Sequence, residues 1–242
     1  MVFDLATREF LFELTLPHLK MLEQNRSDKL TTLFAIISEF SDKYAYITIV
    51  GVTYHFLDTP NAFILSCTIY TALGVLSVLK SFNHEARPFF VMQLTPTKCW
   101  LEYGNPSGHS ITSVSLYLTM WWLMCKRHKV SFFVMKVSLA ATLIVCFAVA
   151  FSRIYHGVHT YNQILAGWAL GVFLHVMFCH VLYEDLRNFV KTAHKSTFAE
   201  LVFNKGTAVF YVIVMLAVLN FLFGNHFHPV PAEWPKHIEH NC

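Results

Sequence analysis

The apolar residues of this chain fall into long runs that carry almost no charge. Six such runs can be read in order: 44–57, 62–79, 110–125, 137–151, 164–183 and 206–224. A straight helix needs about 20 residues to cross a bilayer, so the shorter runs must recruit flanking residues or lie deeper in a bundle. No strand-like alternation competes with a helical pattern over these lengths. The pattern therefore predicts an all-α fold, a polytopic membrane helical bundle with about six transmembrane helices.

The composition agrees with a membrane protein and excludes one class of function. Of the 242 residues, 55% are hydrophobic and 14% are charged, whereas soluble domains carry about 25% charged residues. The length suits one compact bundle rather than two domains. The net charge of +3 is small, and basic residues do not cluster with aromatic ones as they do on nucleic-acid-binding surfaces. We therefore expect no nucleic acid among the partners.

The chain divides into one membrane domain and two terminal segments. We expect the six-helix domain to span residues 30–225, an N-terminal tail or interfacial segment to cover 1–29, and a C-terminal tail to cover 226–242. The first 29 residues lack the basic flank and the continuous apolar core of a secretory signal peptide. Apolar residues recur at helical spacing over 30–40, which fits an amphipathic helix on the membrane or against the bundle. It equally fits the first turn of the first span.

Basic residues flank the predicted spans unequally. One side of the bundle carries eight of them: Lys126, Arg127, Lys129, Lys136, Arg187, Lys191, Lys195 and Lys205. The positive-inside rule therefore places the opposite side, with the loops 80–109 and 152–162, away from the cytosol. We expect the endoplasmic reticulum membrane, with that side facing the lumen. The alternative is the plasma membrane, where it would face the cell exterior.

Two further features fall on the same side as those loops. Residues 25–27 read Asn-Arg-Ser, an acceptor sequence for N-glycosylation, which agrees with a lumenal position for Asn25. Cys99 and Cys242 could form a disulfide there, although the spacing does not show that they are close. The other four cysteines fall in or at the ends of spans, where cysteine acts as a small apolar residue.

Three short polar motifs stand near the ends of apolar runs, and they hold the candidate chemistry. They are Lys80 with Arg87 and Pro88, then Pro106-Ser107-Gly108-His109, then Ser152-Arg153 with His159. Two arginine forks and a lysine suit the three non-bridging oxygens of a phosphate. Taken singly, Lys80 and Arg87 also fit interfacial anchors. Arg153 lies within an apolar stretch, where a charge is costly and usually has a function.

The Ser-Gly turn and the two histidines complete the set. Backbone N–H groups are unpaired at the first turn of a helix and favour an anion. Gly108 lets the main chain approach closely, and Ser107 can donate a hydroxyl, although a plain helix start would also favour Pro and Ser. His109 and His159 offer what cleavage of a phosphate ester needs, because one imidazole can attack phosphorus while the other protonates the leaving oxygen.

These motifs, in this order and with these internal spacings, resemble the signature of the type 2 phosphatidic acid phosphatase and vanadium haloperoxidase superfamily. The six-helix layout resembles the integral membrane branch of that superfamily. The resemblance implies that His159 is the nucleophile and that His109 is the general acid. The phosphate-binding residues that it implies are Lys80, Arg87, Arg153, Ser107 and Gly108, the last through its N–H.

One position departs from the family pattern. The family commonly has an acidic residue four positions after the nucleophilic histidine, and this chain has Gln163 there. The amide oxygen of Gln163 can still accept the ring N–H of His159, but without a negative charge. The glucose-6-phosphatase and dolichyl-diphosphatase branches resemble this chain in having glutamine at this position.

We predict a membrane phosphatase that acts through a phosphohistidine intermediate with no metal or organic cofactor. A lipid phosphate, such as phosphatidate or a sphingoid-base phosphate, is the leading substrate because a site at the membrane surface favours an amphiphile. The alternatives are a glucose-6-phosphatase-like enzyme, a polyisoprenyl diphosphatase, a phosphotransferase and a catalytically silent transporter or scaffold. The presence of every phosphate ligand and both histidines disfavours the last. The partners would be the phosphorylated substrate and membrane lipid, with the oligomeric state left open.

Overall fold

The computed structural model describes residues 5–226 and 233–242, and within these ranges the chain contains helices and no β-strand. The α-helices of the described residues are α1 Leu5–Gln24, α2 Asp28–Glu39, α3 Lys43–Phe56, α4 Thr59–Asn83, α5 Pro88–Val91, α6 Gly108–His128, α7 Phe132–Tyr155, α8 Tyr161–Val176, α9 Tyr183–Thr192, α10 Phe198–Val202, α11 Lys205–His226 and α12 Glu233–Asn241. A π-helical turn, Met177–Val181, prolongs α8, and a 3₁₀ turn, Ala193–Lys195, follows α9. The all-α prediction is confirmed.

Several of these helices can cross a membrane. Four segments of the described residues are long and apolar enough: Thr59–Val91, Phe132–Tyr155, Tyr161–Val181 and Lys205–Leu222. They overlap with four of the predicted runs and confirm a polytopic membrane bundle, but the predicted number of six is not confirmed. The helix α3 has 14 residues, fewer than the about 20 of a straight crossing. The helix α6 has 21 residues but a more polar composition.

The position of α6 explains its polar composition. This helix packs against α4, α7 and α8, so most of its surface faces protein rather than lipid. Its buried serine and threonine residues are Ser110, Thr112, Ser113, Ser115 and Thr119. The Ser113 hydroxyl donates to the carbonyl of Ser110, and the Ser115 hydroxyl donates to that of Thr112. Because these polar groups are hydrogen-bonded within the helix, they can be buried at the centre of the bundle.

Two glycines on α8 bring this helix close to α6. A Cβ atom at Gly167 would lie 2.8 Å from the carbonyl oxygen of Ser107, and one at Gly171 would lie 2.8 Å from the Cβ atom of Val114. Small residues four positions apart let membrane helices approach closely. The contact holds the start of α8, and the loop that precedes it, against the start of α6.

The segments predicted as terminal tails contain helices that pack on the bundle. The helix α1 contacts α7 and α8 and buries Thr15 and Leu19. The segment that contains α12 is joined to the loop after α5 by a disulfide between Cys99 and Cys242, so the pairing that the sequence left open is present. Both helices lack a continuous apolar run, which is why their sequences do not distinguish them from tails. Residues 227–232 lie outside the described ranges.

The helix α2 settles the two interpretations of residues 30–40. It is separate from α3 and begins after Ser27, whose hydroxyl accepts from the backbone N–H of Leu30. It packs against α7, where the ring of Phe34 lies 5.4 Å from that of Phe151 and 4.6 Å from that of Tyr155, measured between centroids. The observed element is an amphipathic helix against the bundle.

Candidate active site

The three polar motifs meet in one cavity at one end of the bundle. The last turns of α4 and α7, the start of α6 and the loop before α8 contribute to its wall. The cavity has a volume of about 130 Å³. Six of the eight predicted site residues line it: Lys80, Arg87, Gly108, His109, Arg153 and His159.

Glu102, in the loop before α6, holds two of the cations. The ammonium Nζ of Lys80 lies 2.7 Å from Glu102 Oε2, and Arg87 Nη2 lies 3.5 Å from Glu102 Oε1. Arg87 also donates from Nε to the carbonyl of Glu102 at 2.7 Å and from Nη1 to the carbonyl of Val158 at 3.1 Å. These backbone contacts fix the guanidinium plane. The Glu102 side chain is 54% exposed while both cations are buried, so an incoming anion would have to replace the ion pairs that it displaces.

Arg153 reaches the cavity from α7 and is almost fully buried. Its Nη1 donates to the hydroxyl of Ser38 at 3.0 Å, and that hydroxyl lies 2.9 Å from the hydroxyl of Ser152. Among the described residues, the Nε group of Arg153 has no hydrogen-bond partner. A buried charged donor without an acceptor is destabilising, so an anion in the cavity would satisfy it.

The start of α6 presents Gly108 and His109 to the cavity, and Ser107 lies behind them. The backbone N–H of Ser107 donates to the carbonyl of Gln163 at 2.9 Å. Its hydroxyl accepts from the hydroxyl of Ser110 at 3.1 Å, and the whole residue is buried. Ser107 therefore fixes this turn against α8, and its predicted contact with phosphate stays a prediction.

The two ring nitrogens of His159 have different partners. Nε2 lies 3.3 Å from Arg87 Nη1, and Nδ1 lies 2.9 Å from Gln163 Oε1. Because a guanidinium can only donate and an amide oxygen can only accept, the proton of the neutral ring belongs on Nδ1. The lone pair of Nε2 then accepts from Arg87, and both residues line the cavity.

The surroundings keep the His159 ring neutral. Its pKa lies well below the ordinary value of a histidine because the ring is buried. Three nearby cations, Arg87, Arg153 and Lys80, lower this pKa further. The neutral form is the one whose nitrogen lone pair can attack an electrophile.

The chain and its fold have relatives among known proteins. Residues 61–187, more than half of the chain, match the PAP2 superfamily. The chain belongs to the PAP2 superfamily. It is also 27% identical over 168 residues to an undecaprenyl-diphosphatase from Sulfolobus acidocaldarius, a match that covers 63% of this chain and 70% of that protein.

Two solved structures share the fold of this PAP2 protein. A transmembrane PAP2-type phosphatidylglycerolphosphate phosphatase from Bacillus subtilis matches with a TM-score of 0.64 and 18% identity, covering 73% of this chain and 86% of that one. LpxE from Aquifex aeolicus matches with a TM-score of 0.55 and 16% identity, covering 67% and 93%. The family and its apolar helices identify the protein as an integral membrane phosphatase.

Gln163 stands in this PAP2 protein where the family commonly has an acid. Its Oε1 accepts from His159 Nδ1 and, at 3.3 Å, from the backbone N–H of Thr160. The same amide therefore contacts the histidine and caps the start of α8. Its Nε2 donates to Glu85 Oε1 and to the carbonyl of Ala86, both at 2.8 Å.

The structure also adds residues that the PAP2 motifs do not include. Ser38 orients Arg153, Glu102 pairs with two cations, and the Trp100 ring lies edge-on to that of His109 with centroids 6.3 Å apart. These residues lie in loops and in α2, and no spacing relates them to the motifs. Glu85 is different, because it stands two positions before Arg87 inside the first motif and its charge could have been noticed there.

Proposed function

We propose that this PAP2 protein hydrolyses a lipid phosphate, with phosphatidate and sphingoid-base phosphates as leading substrates. The observation that carries the proposal is the lining of the cavity, which is cationic on one side and apolar on the other. Leu73, Leu76 and Lys80 all line it and lie along one face of α4, so an apolar wall continues from the cation. Tyr46 of α3 adds to this wall. A phosphate bound to the cations with its hydrocarbon chain along α4 would contact both parts.

In the first step, Nε2 of His159 would attack phosphorus. A nitrogen–phosphorus bond forms while the bond from phosphorus to the alcohol oxygen breaks. The cations Lys80, Arg87 and Arg153 would hold the three non-bridging oxygens and stabilise the charge that builds on them in the transition state. Since these side chains supply the positive charge, we expect the reaction to proceed without a metal.

His109 would act first as general acid and then as general base. Burial and the nearby cations, Arg153 first among them, hold the pKa of His109 well below its ordinary value, so the negative charge of the bound phosphate would be needed to protonate it. His109 then donates a proton to the leaving alcohol oxygen and takes one from the water that attacks the phosphohistidine. Inorganic phosphate leaves, His159 is restored, and His109 is protonated again for the next cycle. General acid and base help of this kind typically accelerates a reaction about 10²–10⁴-fold.

A polyisoprenyl diphosphate is the second candidate substrate. The similarity to an undecaprenyl-diphosphatase favours it, and its long chain also suits an apolar wall. In that case the bond that breaks joins phosphorus to the oxygen that bridges the two phosphates. A glucose-6-phosphatase-like activity has less support, because a sugar phosphate has no hydrocarbon chain to contact Leu73 and Leu76.

We further propose that the cavity faces away from the cytosol. Lys126 and Arg127 lie at the end of α6, whereas Gly108 lies at its cavity-side start, so the basic flank is at the opposite end of this helix. The disulfide between Cys99 and Cys242 supports the same orientation, because disulfides persist in oxidising compartments. The endoplasmic reticulum lumen and the cell exterior both meet this condition.

Release of inorganic phosphate by the purified protein in detergent and EDTA tests the proposal. The substrate panel is phosphatidate, sphingosine phosphate, a polyisoprenyl diphosphate and glucose 6-phosphate. We expect turnover of a lipid substrate in EDTA, inhibition by vanadate, and a phosphorylated enzyme that is absent in His159→Ala. Activity that disappears in EDTA and returns with magnesium, or turnover that survives in His159→Ala, would contradict the mechanism.

A leaving-group series tests the role of His109. His109→Ala should slow cleavage of alkyl phosphates about 10²–10⁴-fold, whereas aryl phosphates with good leaving groups should be partly spared because their oxygen needs no proton. Equal losses for both kinds of substrate would show that His109 is not the general acid.

A further inference from the structure

A carboxylate lies directly behind Gln163. Glu85 Oε1 accepts from the side-chain amides of Asn162 and Gln163 at 2.7 and 2.8 Å. Glu85 Oε2 accepts from Arg8 of α1 at 2.6 Å and from the side-chain amide of Asn105 at 2.7 Å. The Glu85 side chain is 11% exposed, so this negative charge is mostly buried and both of its oxygens are hydrogen-bonded.

The carboxylate of Glu85 determines which way the Gln163 amide faces. A carboxylate accepts and cannot donate, so the NH₂ group of Gln163 must point toward Glu85 and the amide oxygen toward His159. The carbonyl of Ala86, which also accepts from Gln163 Nε2, favours the same orientation. In the reverse orientation the NH₂ group would face Nδ1 of His159, and the ring proton would move to Nε2, the nitrogen that must stay free.

The loop before α6 holds the Gln163 amide in this place. A Cβ atom at Gly104 would lie 2.5 Å from Gln163 Nε2 and 2.7 Å from its Oε1, so the backbone of this loop packs directly on the amide. The backbone N–H of Gly104 donates to the carbonyl of Glu85 at 2.8 Å. The carboxylate, the amide and the loop therefore form one packed unit behind the histidine.

We infer that Glu85 is a positioning residue that acts on His159 through the Gln163 amide. Its carboxylate supplies the negative charge that the family commonly carries four positions after its nucleophile. The inference rests on the proposed role of His159. When Nε2 bonds to phosphorus and Nδ1 keeps its proton, the ring becomes positive. The Gln163 dipole, oriented by Glu85, stabilises that charge, and Glu85 itself never touches the substrate.

Moving the carboxylate within the unit tests this inference. Glu85→Gln removes the negative charge and leaves one amide oxygen for donors on two sides, with Arg8 competing for it. Gln163 then keeps only the Ala86 carbonyl as a fixed acceptor, so its orientation is weakened. We expect kcat to fall about 10- to 100-fold, as small misplacements of reacting groups do, with KM changed less than about threefold. Gln163→Glu alone would place two carboxylates in contact, and it should lose at least as much activity.

The double variant Glu85→Gln/Gln163→Glu should recover kcat at least about tenfold above Gln163→Glu, because it restores one carboxylate and places it against Nδ1. Glu184→Gln is the matched control, since this exposed acid pairs with Lys126 at 3.4 Å in another part of the fold, and it should keep wild-type kcat. Unfolding temperature in detergent and vanadate binding are measured for each variant.

The outcomes separate the inference from the proposed function. Recovery in the double variant supports the inference even if Glu85→Gln itself fails to fold. A Glu85→Gln protein with kcat within twofold of wild type, or a double variant no faster than Gln163→Glu, overturns it. Neither result bears on whether His159 forms the phosphoenzyme, which His159→Ala decides separately.

Discussion

At the scale of single residues, Gln163 shows how a neutral side chain can orient a histidine. Its oxygen contacts His159 Nδ1 at 2.9 Å, and its NH₂ group is held by two acceptors. A neutral hydrogen bond contributes roughly 0.5–1.5 kcal/mol and a bond to a charged partner about 1.5–3 kcal/mol. Orientation through an amide should therefore contribute less than a direct carboxylate.

We expect Gln163→Leu to lower kcat about 3- to 30-fold, because the ring loses the acceptor that fixes its tautomer. Gln93→Leu is the control, since Gln93 is an exposed glutamine that contacts His240 on α12. Phosphate release at saturating substrate measures both. Wild-type turnover in a folded Gln163→Leu protein would mean that another group orients His159.

Glu102 gives a second prediction, about the strength of anion binding. Its carboxylate pairs with Lys80 and Arg87 and must leave before a phosphate can take its place. An exposed ion pair is worth roughly 0.2–1 kcal/mol, and this pair has buried cations, so Glu102→Gln should tighten inhibition by vanadate at least about twofold. Asp185→Asn, which removes the pair with the exposed Lys205, should leave the inhibition constant unchanged. Weaker inhibition in Glu102→Gln would show that the carboxylate supports the cations rather than competing for them.

The motifs were sufficient to predict six of the eight candidate residues as neighbours of one cavity, because each motif supplies both a residue type and a helix end. Glu102 and Ser38 could not be predicted. They reach the cations through contacts between segments far apart in the chain, and nothing in their local sequence marks those contacts.

At the scale of helices, the contact between α6 and α8 determines how the motifs meet. The first motif histidine lies at the start of α6, the second lies just before α8, and Gly167 leaves no space between these two helix starts. Any atom added there must push α8 away from the Ser107 carbonyl.

Gly167→Ala should therefore lower both the unfolding temperature and kcat. Overpacking of a close contact typically costs about 1–3 kcal/mol. Gly51→Ala on α3 is the matched control, because a Cβ atom there meets nothing within 4 Å and removing a helix-interior glycine should stabilise by about 0.5–1 kcal/mol. Thermal unfolding in one detergent compares the two. An equal stabilisation by both alanines would mean that α8 has room to move.

Long apolar runs predict α4, α7, α8 and α11 well, because each of these helices is long and apolar enough to cross a membrane. The same rule is weaker for α6, whose neighbours are protein, and for α3, which is short. It does not find α1 and α12, because they pack through a few buried side chains and, near α12, a disulfide. What the pattern misses is contact between helices, which hydropathy does not record.

At the scale of the whole molecule, the orientation in the membrane decides which substrates the cavity can meet. With Cys67, Cys125, Cys146 and Cys179 replaced by alanine and the disulfide kept, single cysteines can report the two sides. We expect Arg127→Cys to react with an impermeant reagent only after it gains access to the cytosol. Thr95→Cys should be protected from a cytosolic reagent. The reverse labelling would place the cavity in the cytosol.

The disulfide between Cys99 and Cys242 makes most of this protein a covalent ring. The ring passes through α6, α7 and α8, so the segments that carry His109 and His159 are both on it. A single protease cut at 129–131, between α6 and α7, would open the ring without producing two molecules. The two pieces would migrate together on a gel until a reductant is added. In the nicked enzyme, the two fragments that carry His109 and His159 would stay covalently joined through the disulfide.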